Sequence, residues 1–489
     1  MTRPESTLQS DGSAPPTAAP LPIVVDLDET LLAVDTLHES FAGALFHNPP
    51  AALAALGALR RGRAAFKGAL AAGMAPDADT LPLREDLLAW LAARAAEGHA
   101  LHLYTAAHQS IADAVAARLG IFASAVGTGA DNLKGPAKAA ALAARFPGGF
   151  IYAGDSHADL AVWARAAGIV LVHAAAPTVR AARALGPPVL AEFPARAAGL
   201  RDWARALRVH HWTKNLLVFV PLILAQGWRD PALILQALFA FLLLLVLTSS
   251  TYLLNDVADL RADRAHWSKR HRPIAAGRIP VRQAAIVGAG GILLALLAGL
   301  VASPALAGGL FAYLALTLAY SFRLKRIALL DTLVIAMLFV LRLLIGVAAL
   351  GQEVSGYLLT FAMFFFFALA TAKRHTELLR AGPEGSASLA ARGYRPADAE
   401  LTLVVGVASA LGSLIVLVQY LMHDAFHRVP YADPAWLWAQ PLLISVWLGR
   451  IWLLSHRGEM LDDPVSFAVR DRVSWALAGG VALAYLLAL

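Results

Sequence analysis

At 489 residues the chain is long enough for more than one domain, and 58% hydrophobic against 15% charged residues is not the balance of an ordinary soluble protein. The absence of cysteine excludes disulfides and thiol catalysis. A net charge of +7 points weakly to anionic partners, and we expect no nucleic acid among them.

The apolar residues are unevenly spread. Residues 1–200 hold no uninterrupted run near the roughly 18 residues of a membrane helix, whereas 215–489 hold one after another. The opening stretch, 1–21, is polar and rich in Pro, Ala and Ser without an apolar signal region, and is expected to be a disordered leader. A soluble α/β domain is expected over 22–200 and an all-α, multi-pass membrane domain over 205–489.

IVVDLDETLL (23–32) reads as a buried strand followed by a loop holding Asp26, Asp28 and Thr30. Two carboxylates at i, i+2 past a strand end can bind Mg²⁺ and divide labour as nucleophile and acid/base. ALHLYTAAH (100–108) is a second strand, ending in Thr105. DNLKGPAK (131–138) offers Lys134 and Lys138 before a helix, and FIYAGDSHADLAV (150–162) runs a third strand into Asp155 and Asp159. Polar groups at strand ends, with helices between, form the ligand edge of a doubly wound sheet.

This ordered set of motifs resembles the haloacid dehalogenase superfamily. The resemblance implies Asp26 as nucleophile, Asp28 as general acid/base, and Thr105 and Lys134 on the phosphoryl oxygens, with Lys138 as the alternative lysine. Asp155 would bind Mg²⁺ beside Asp26 and Asp28, with Asp159 in support. Residues 33–85 would form a small helical cap, in which the basic RRGRAAFK (60–67) reads as a solvated face.

Beyond residue 205 we expect nine spans, near 214–227, 232–254, 283–301, 305–321, 329–350, 357–374, 401–422, 436–455 and 473–489. The loops on the side of the N-terminal domain carry sixteen Lys and Arg and the opposite loops only Arg229 and Arg428. That asymmetry predicts an inner- or plasma-membrane protein with the soluble domain and the charged loops in the cytoplasm.

The second span leads directly into NDVADLRADRAHWSKRHRPIAAGR (255–278). Asp256, Asp259 and Asp263 stand at i, i+3, i+7, one face of a helix, with Asn255 at its edge. Carboxylates so close repel unless a cation lies between them, which suggests Mg²⁺ bridging a pyrophosphate. After the fourth span, YSFRLKRIALLD (320–331) offers Tyr320, Lys325, Arg326 and a single Asp331. GAGGILLALLAG (288–299) reads as close helix packing through small residues.

NDxxDxxxD resembles the first aspartate-rich motif of the UbiA superfamily of intramembrane prenyltransferases. Those enzymes are expected to carry a second acidic motif, which this chain replaces with the basic 320–331 stretch. That variant, with HHWTKNLLVFVP (210–221), DRxHxxKxxRPIAAG (263–277) and DDPVSFAVRDR (462–472), is similar to the decaprenyl-phosphate phosphoribosyltransferase branch. The resemblance implies Mg²⁺ on Asp256, Asp259, Asp263 and Asp331, and substrate contacts from Lys214, Asn215, Asn255, His266, Lys269, Arg272, Tyr320, Lys325 and Arg326. Phosphoribosyl pyrophosphate carries a 5-phosphate needing its own cations, and Lys325 and Arg326 could supply them. The expected function is a bifunctional enzyme that transfers phosphoribosyl to polyprenyl phosphate, the phosphatase removing the 5-phosphate. The alternative is transfer of an isoprenyl group from its diphosphate to an aromatic or other small acceptor, with a separate phosphatase substrate.

Overall fold

β1 (Ile23–Val25) is three aliphatic residues buried on both faces, as the centre of a parallel sheet demands. The computed structural model describes residues 20–129, 132–195, 197–353, 355–382, 387–428, 431–460 and 464–489, so nearly all of the expected leader lies outside the described residues. The chain divides into two units, one of Met1–Ala206 with Asp256–Ala285 and one of Leu207–Asn255 with Ile286–Leu489.

In the first unit β1 pairs in parallel with β2 (Leu101–His108) on one side and β4 (Ile151–Gly154) on the other, Ile23 standing opposite both Leu101 and Ile151. With β3 (Ser124–Thr128), β5 (Gly168–Val172) and β6 (Val189–Phe193) the order is β3-β2-β1-β4-β5-β6, all parallel. The expected doubly wound sheet is present. Chain direction away from β1 reverses between β2 and β4, so Asp26 emerges where such sheets open a crevice at their strand ends. Three helices cover that crevice: α1 (Thr36–His47), α2 (Pro49–Ala58) and α3 (Arg63–Met74), packed together through Ala44, Ala52, Ala55 and Leu70.

The second unit is helical. Among the described residues seven helices are long and apolar enough to cross a membrane: Pro231–Ala258, Val281–Ala302, Pro304–Phe322, Leu330–Leu350, Gly356–Ala381, Asp398–Ala425 and Pro434–His456. The expected nine differ from these seven at both ends of the set, where the segments are not long single helices. Over 214–227 there is no single helix: Val209–Phe219 winds as a 3-10 helix, Val220–Leu224 is one short α-helical turn with Pro221 at its start, and Gln226 is left-handed at φ 52°. A left-handed non-glycine residue ends a helix. Arg472–Ala488 is apolar, but 17 residues reach only about 25 Å, short of a hydrocarbon core of about 30 Å.

Small residues do set helix packing within 288–299. A Cβ at Gly291 would stand 2.1 Å from Ser250 Oγ and 3.4 Å from Val246 Cγ1, whereas at Gly290 it would meet no described atom within 4 Å. Gly291→Ile should therefore destabilise the full chain in detergent by about 1–3 kcal/mol, the usual cost of overpacking. Gly290→Ile should leave the thermal midpoint nearly unchanged; equal midpoints for the two variants would contradict the packing assigned to this helix.

Candidate active sites

The loop after β1 does not continue as a strand, because Asp28 and Glu29 break the turn and Glu29 is left-handed at φ 57°. The kink separates the two carboxylates. Asp26 faces the sheet edge, where Lys138 Nζ lies 2.9 Å from its Oδ1. Asp28 turns toward α1, its Oδ1 accepting from Thr36 N at 2.8 Å and Thr36 Oγ1 at 2.7 Å. Burial, with the charge of Asp35 behind it, pushes Asp28 up to about 7, so it can hold a proton at neutral pH.

Asp155 follows β4 directly and accepts from Thr30 Oγ1 at 2.9 Å. Asp159 is held by Tyr152 Oη at 2.9 Å and by Ser156 N and Oγ at 3.0 and 2.8 Å. Asp26, Asp155 and Asp159 each bring an oxygen within 4.8 Å of the other two. Burial first, then the charges of Asp159 and Asp26, raises Asp155 well above the usual carboxylate range. A crowded, all-oxygen set of this kind fits a hard divalent cation. The geometry groups Asp159, rather than Asp28, with Asp26 and Asp155.

The two lysines are sharply different. Burial disfavours the charge on Lys138, but Asp26 and Asp159 hold it protonated, and it also donates to Tyr152 Oη at 2.9 Å. Lys134, the residue expected at this place, is exposed at the rim of the cleft. Thr105 is fully buried within β2, three residues before the strand's end, where the pairing with β3 turns irregular, and accepts from Ala107 N at 2.9 Å. Arg60, Arg61 and Arg63 are solvated as expected, but Lys67 is not: its Nζ donates to Ala106 O at 2.5 Å and Asn132 Oδ1 at 2.7 Å, lining the cleft of about 130 Å³ above Asp26. Its spacing from the arginines, one turn further along α3, was the only signal in the sequence.

In the aspartate-rich stretch the expected single helical face is corrected. The helix ending at Ala258 breaks at Asp259, which is exposed, and a new short helix begins at Leu260. Asp256 and Asp263 nevertheless meet, because Arg272 Nη1 lies 3.0 Å from Asp256 Oδ1 and 2.6 Å from Asp263 Oδ2. Two buried carboxylates converging on one nitrogen form a cation-sized focus, and that fits a divalent ion. Lys269 Nζ stands 4.0 Å from Asp263, while His266 is turned onto Ser268 and Trp267. Asn255 is half-buried at the end of the preceding span.

In the second unit Asp331 is completely buried, accepting from Arg374 Nη2 at 2.6 Å and Tyr394 Oη at 2.5 Å, with Arg392 at 4.0 Å. Its carboxylate, expected to be a metal ligand, is here paired with cations and a phenol. Arg392 reaches on to Tyr320 Oη at 3.2 Å. Lys325 and Arg326 form the neighbouring turn and pair with no carboxylate among the described residues. Asn215 is buried between Thr248 Oγ1 at 3.1 Å and Arg342 Nε at 2.9 Å, while Lys214 stands 5.9 Å from the Phe339 ring that Arg342 also covers. Asp462 and Asp463 lie outside the described residues; Asp471, from the same motif, binds Arg450 at 2.7 Å.

A profile of the UbiA prenyltransferase family matches residues 216–470, more than half of the chain. The chain belongs to the UbiA prenyltransferase family. A haloacid dehalogenase-like hydrolase profile matches residues 23–163, so this UbiA member carries that domain ahead of its membrane part. It is 43% identical to the uncharacterized protein y4nM of Sinorhizobium fredii, over 96% of this chain and 91% of that one. The nodulation protein NoeC of Azorhizobium caulinodans is 30% identical over 58% of this chain and 91% of its own. The decaprenyl-phosphate phosphoribosyltransferase of Mycobacterium tuberculosis is 28% identical over 58% and 94%. Among solved structures, a UbiA homolog from Archaeoglobus fulgidus bound to GPP and Mg2+ matches 59% of this chain and 98% of its own, at 17% identity and TM-score 0.43.

The lysine geometry separates two variants. Lys138→Met should reduce hydrolysis of a simple phosphomonoester by about a hundredfold or more, since its loss leaves Asp26 buried and unpaired. Lys134→Met should stay within a few fold of the parent, and the reverse order would reassign the phosphate-facing lysine.

Proposed function

We propose that this chain transfers phosphoribosyl from phosphoribosyl pyrophosphate to a polyprenyl phosphate, and that its hydrolase domain then removes the 5-phosphate. The carrying observation is the basic assembly around Asp331. Where an isoprenyl donor would call for a second acidic motif, this chain buries its one aspartate under Arg374, Tyr394 and Arg392 and leaves Lys325 and Arg326 beside them. A donor with a second phosphate is what such a cluster suits. Similarity to phosphoribosyltransferases over most of their length supports the same reading.

Asp256 and Asp263 would hold Mg²⁺ against the donor diphosphate, and Asp26, Asp155 and Asp159 would hold it in the hydrolase site. Bound there, the ion supplies neutralisation of phosphate charge. At the transferase site a phosphate oxygen of the lipid attacks ribose C1, the bond from C1 to the diphosphate oxygen breaks, and pyrophosphate leaves. Lys269, at the rim, and Arg272, released from the carboxylates, would face the departing charge. In the hydrolase site Asp26 attacks phosphorus, the bond from phosphorus to the ribose 5-oxygen breaks, and protonated Asp28 gives its proton to that oxygen as it departs. Asp28 then accepts a proton from the water that cleaves the aspartyl phosphate. The sixteen basic groups of one loop set favour both sites in the cytoplasm.

The full chain in detergent with ribose-labelled phosphoribosyl pyrophosphate and polyprenyl phosphate should give a lipid-soluble labelled product, lost in Asp256→Ala and Asp263→Ala. Arg326→Ala should raise KM for that donor about tenfold to a hundredfold, the loss of one charged hydrogen bond at about 1.5–3 kcal/mol. Consumption of an isoprenyl diphosphate with an aromatic acceptor, and none of the ribosyl donor, would install the alternative reading.

In the same assay Asp26→Asn should accumulate lipid still bearing the 5-phosphate at an unchanged transfer rate, whereas the parent yields the dephosphorylated lipid. Mass spectrometry of the lipid extract decides between them, and identical lipids from both would assign the hydrolase a separate substrate.

A further inference from the structure

The aspartate-rich stretch folds into one unit with the hydrolase domain, and the two are joined by a charge pair 225 residues apart in sequence. Glu39 on α1 and Arg264, next to Asp263, are both buried. Arg264 Nη1 donates to Glu39 Oε2 at 2.6 Å and its Nη2 to Oε1, a bidentate fork, while its Nε donates to Ala275 O at 2.9 Å. Three further contacts define the same junction. His47, at the end of α1, meets Ala258 O at 2.7 Å through Nε2, and Arg278 Nε donates to Asp202 at 2.8 Å. Gly277 is left-handed at φ 71°, and a Cβ there would stand 2.8 Å from Ala33 O, so the two backbones touch.

The position of α1 gives this pair its meaning. Thr36 at its first turn holds the hydrolase carboxylate Asp28 through two hydrogen bonds, and Glu39 lies one turn further on. Arg264 lies beside Asp263 in the short helix Leu260–Ala265, and Asp263 shares Arg272 with Asp256. A continuous run of contacts therefore leads from Asp28, through Thr36 and Glu39, to Arg264 and Asp263. A surface ion pair would transmit little, but a bidentate pair removed from water tolerates only a narrow geometry.

We propose that Glu39, a residue of the hydrolase domain, is a positioning residue for the transferase: through Arg264 it sets Asp263 to receive the donor diphosphate. The proposal rests on the reading of Asp256 and Asp263 as the diphosphate site, without depending on which group that diphosphate activates. It needs no movement of metal or substrate between sites, only that the loop be less well aimed when Glu39 lets go.

The test is hydrogen exchange on the full chain in detergent, following the amides of 257–278 while inorganic pyrophosphate is titrated in the presence of Mg²⁺. In the parent, pyrophosphate should protect these amides. In Glu39→Gln the midpoint of protection should move about tenfold higher, because one partner of a buried pair has been neutralised. The amides of β2 and phosphomonoester hydrolysis should be unchanged, which establishes that the variant is folded. Arg264→Met should shift the midpoint similarly, and the double variant no further than the larger single, as for two residues acting as one unit. A mere strut would quicken exchange without pyrophosphate and leave the midpoint where it was; that result overturns the proposal. Absence of protection in the parent at any pyrophosphate concentration would instead remove the diphosphate assignment itself.

Discussion

Carboxylates buried against cations recur through this chain, and each pairing orders a different segment. Asp26 faces Lys138, Glu39 faces Arg264, Asp263 faces Arg272 and Asp331 faces Arg374. Taking a carboxylate out of water costs several kcal/mol, and breaking such a pair by removing one partner costs about 3–5 kcal/mol. None of these pairs is a cheap source of stability. Their effect is to fix the loop at a strand end, the turn beyond a membrane helix or the start of the next helix in one arrangement, where apolar packing alone would allow several.

The pairs differ in how readily the cation can leave. Lys138 has a side chain 2% exposed and Arg374 one 3% exposed, while that of Arg272 is 29% exposed. Lys138 is therefore closed in beside Asp26 as a fixed positive charge. Arg374 likewise keeps Asp331 closed, so that aspartate organises cations instead of offering oxygens. Arg272 has solvent to move into. Were Asp256 and Asp263 to hold a divalent ion, Arg272 is the cation with room to give way.

Much of this was legible in the sequence because it is local. Strand ends at Asp26 and Asp155, the doubly wound sheet and the apolar helices follow from runs of a few residues whose burial is set by pattern, whereas the strand expected to end at Thr105 runs on to His108. Residues acting across the fold were less legible. Lys134 and Lys138 are four residues apart in sequence, but only Lys138 lies on the helix Pro136–Arg145, whose seating against Tyr152 puts it inside while Lys134 stays at the rim. Lys67 looked like part of a solvated basic run until α3 folded back over the cleft. The 214–227 segment was expected as one continuous helix on apolar composition, since hydropathy does not register a left-handed Gln226. Glu39 and Arg264 carry no local signal that they will meet.

That last contact bears on why two enzymatic domains share a chain. NoeC and the mycobacterial phosphoribosyltransferase each match 58% of this chain over nearly their whole length, so a UbiA membrane part exists in relatives whose match does not extend over this whole chain. The match to y4nM extends over 96% of this chain. Tethering alone would give the hydrolase access to a lipid product confined to the membrane plane, at an effective concentration set by the length of the connection. It would leave the two reactions independent in rate. A buried pair from α1 to the aspartate-rich stretch adds a constraint that tethering lacks, because a residue of the hydrolase domain enters the geometry of the aspartate-rich site. Where the hydrolase acts on what the transferase makes, that constraint favours a chain in which the aspartate-rich site is formed only with the hydrolase domain in place.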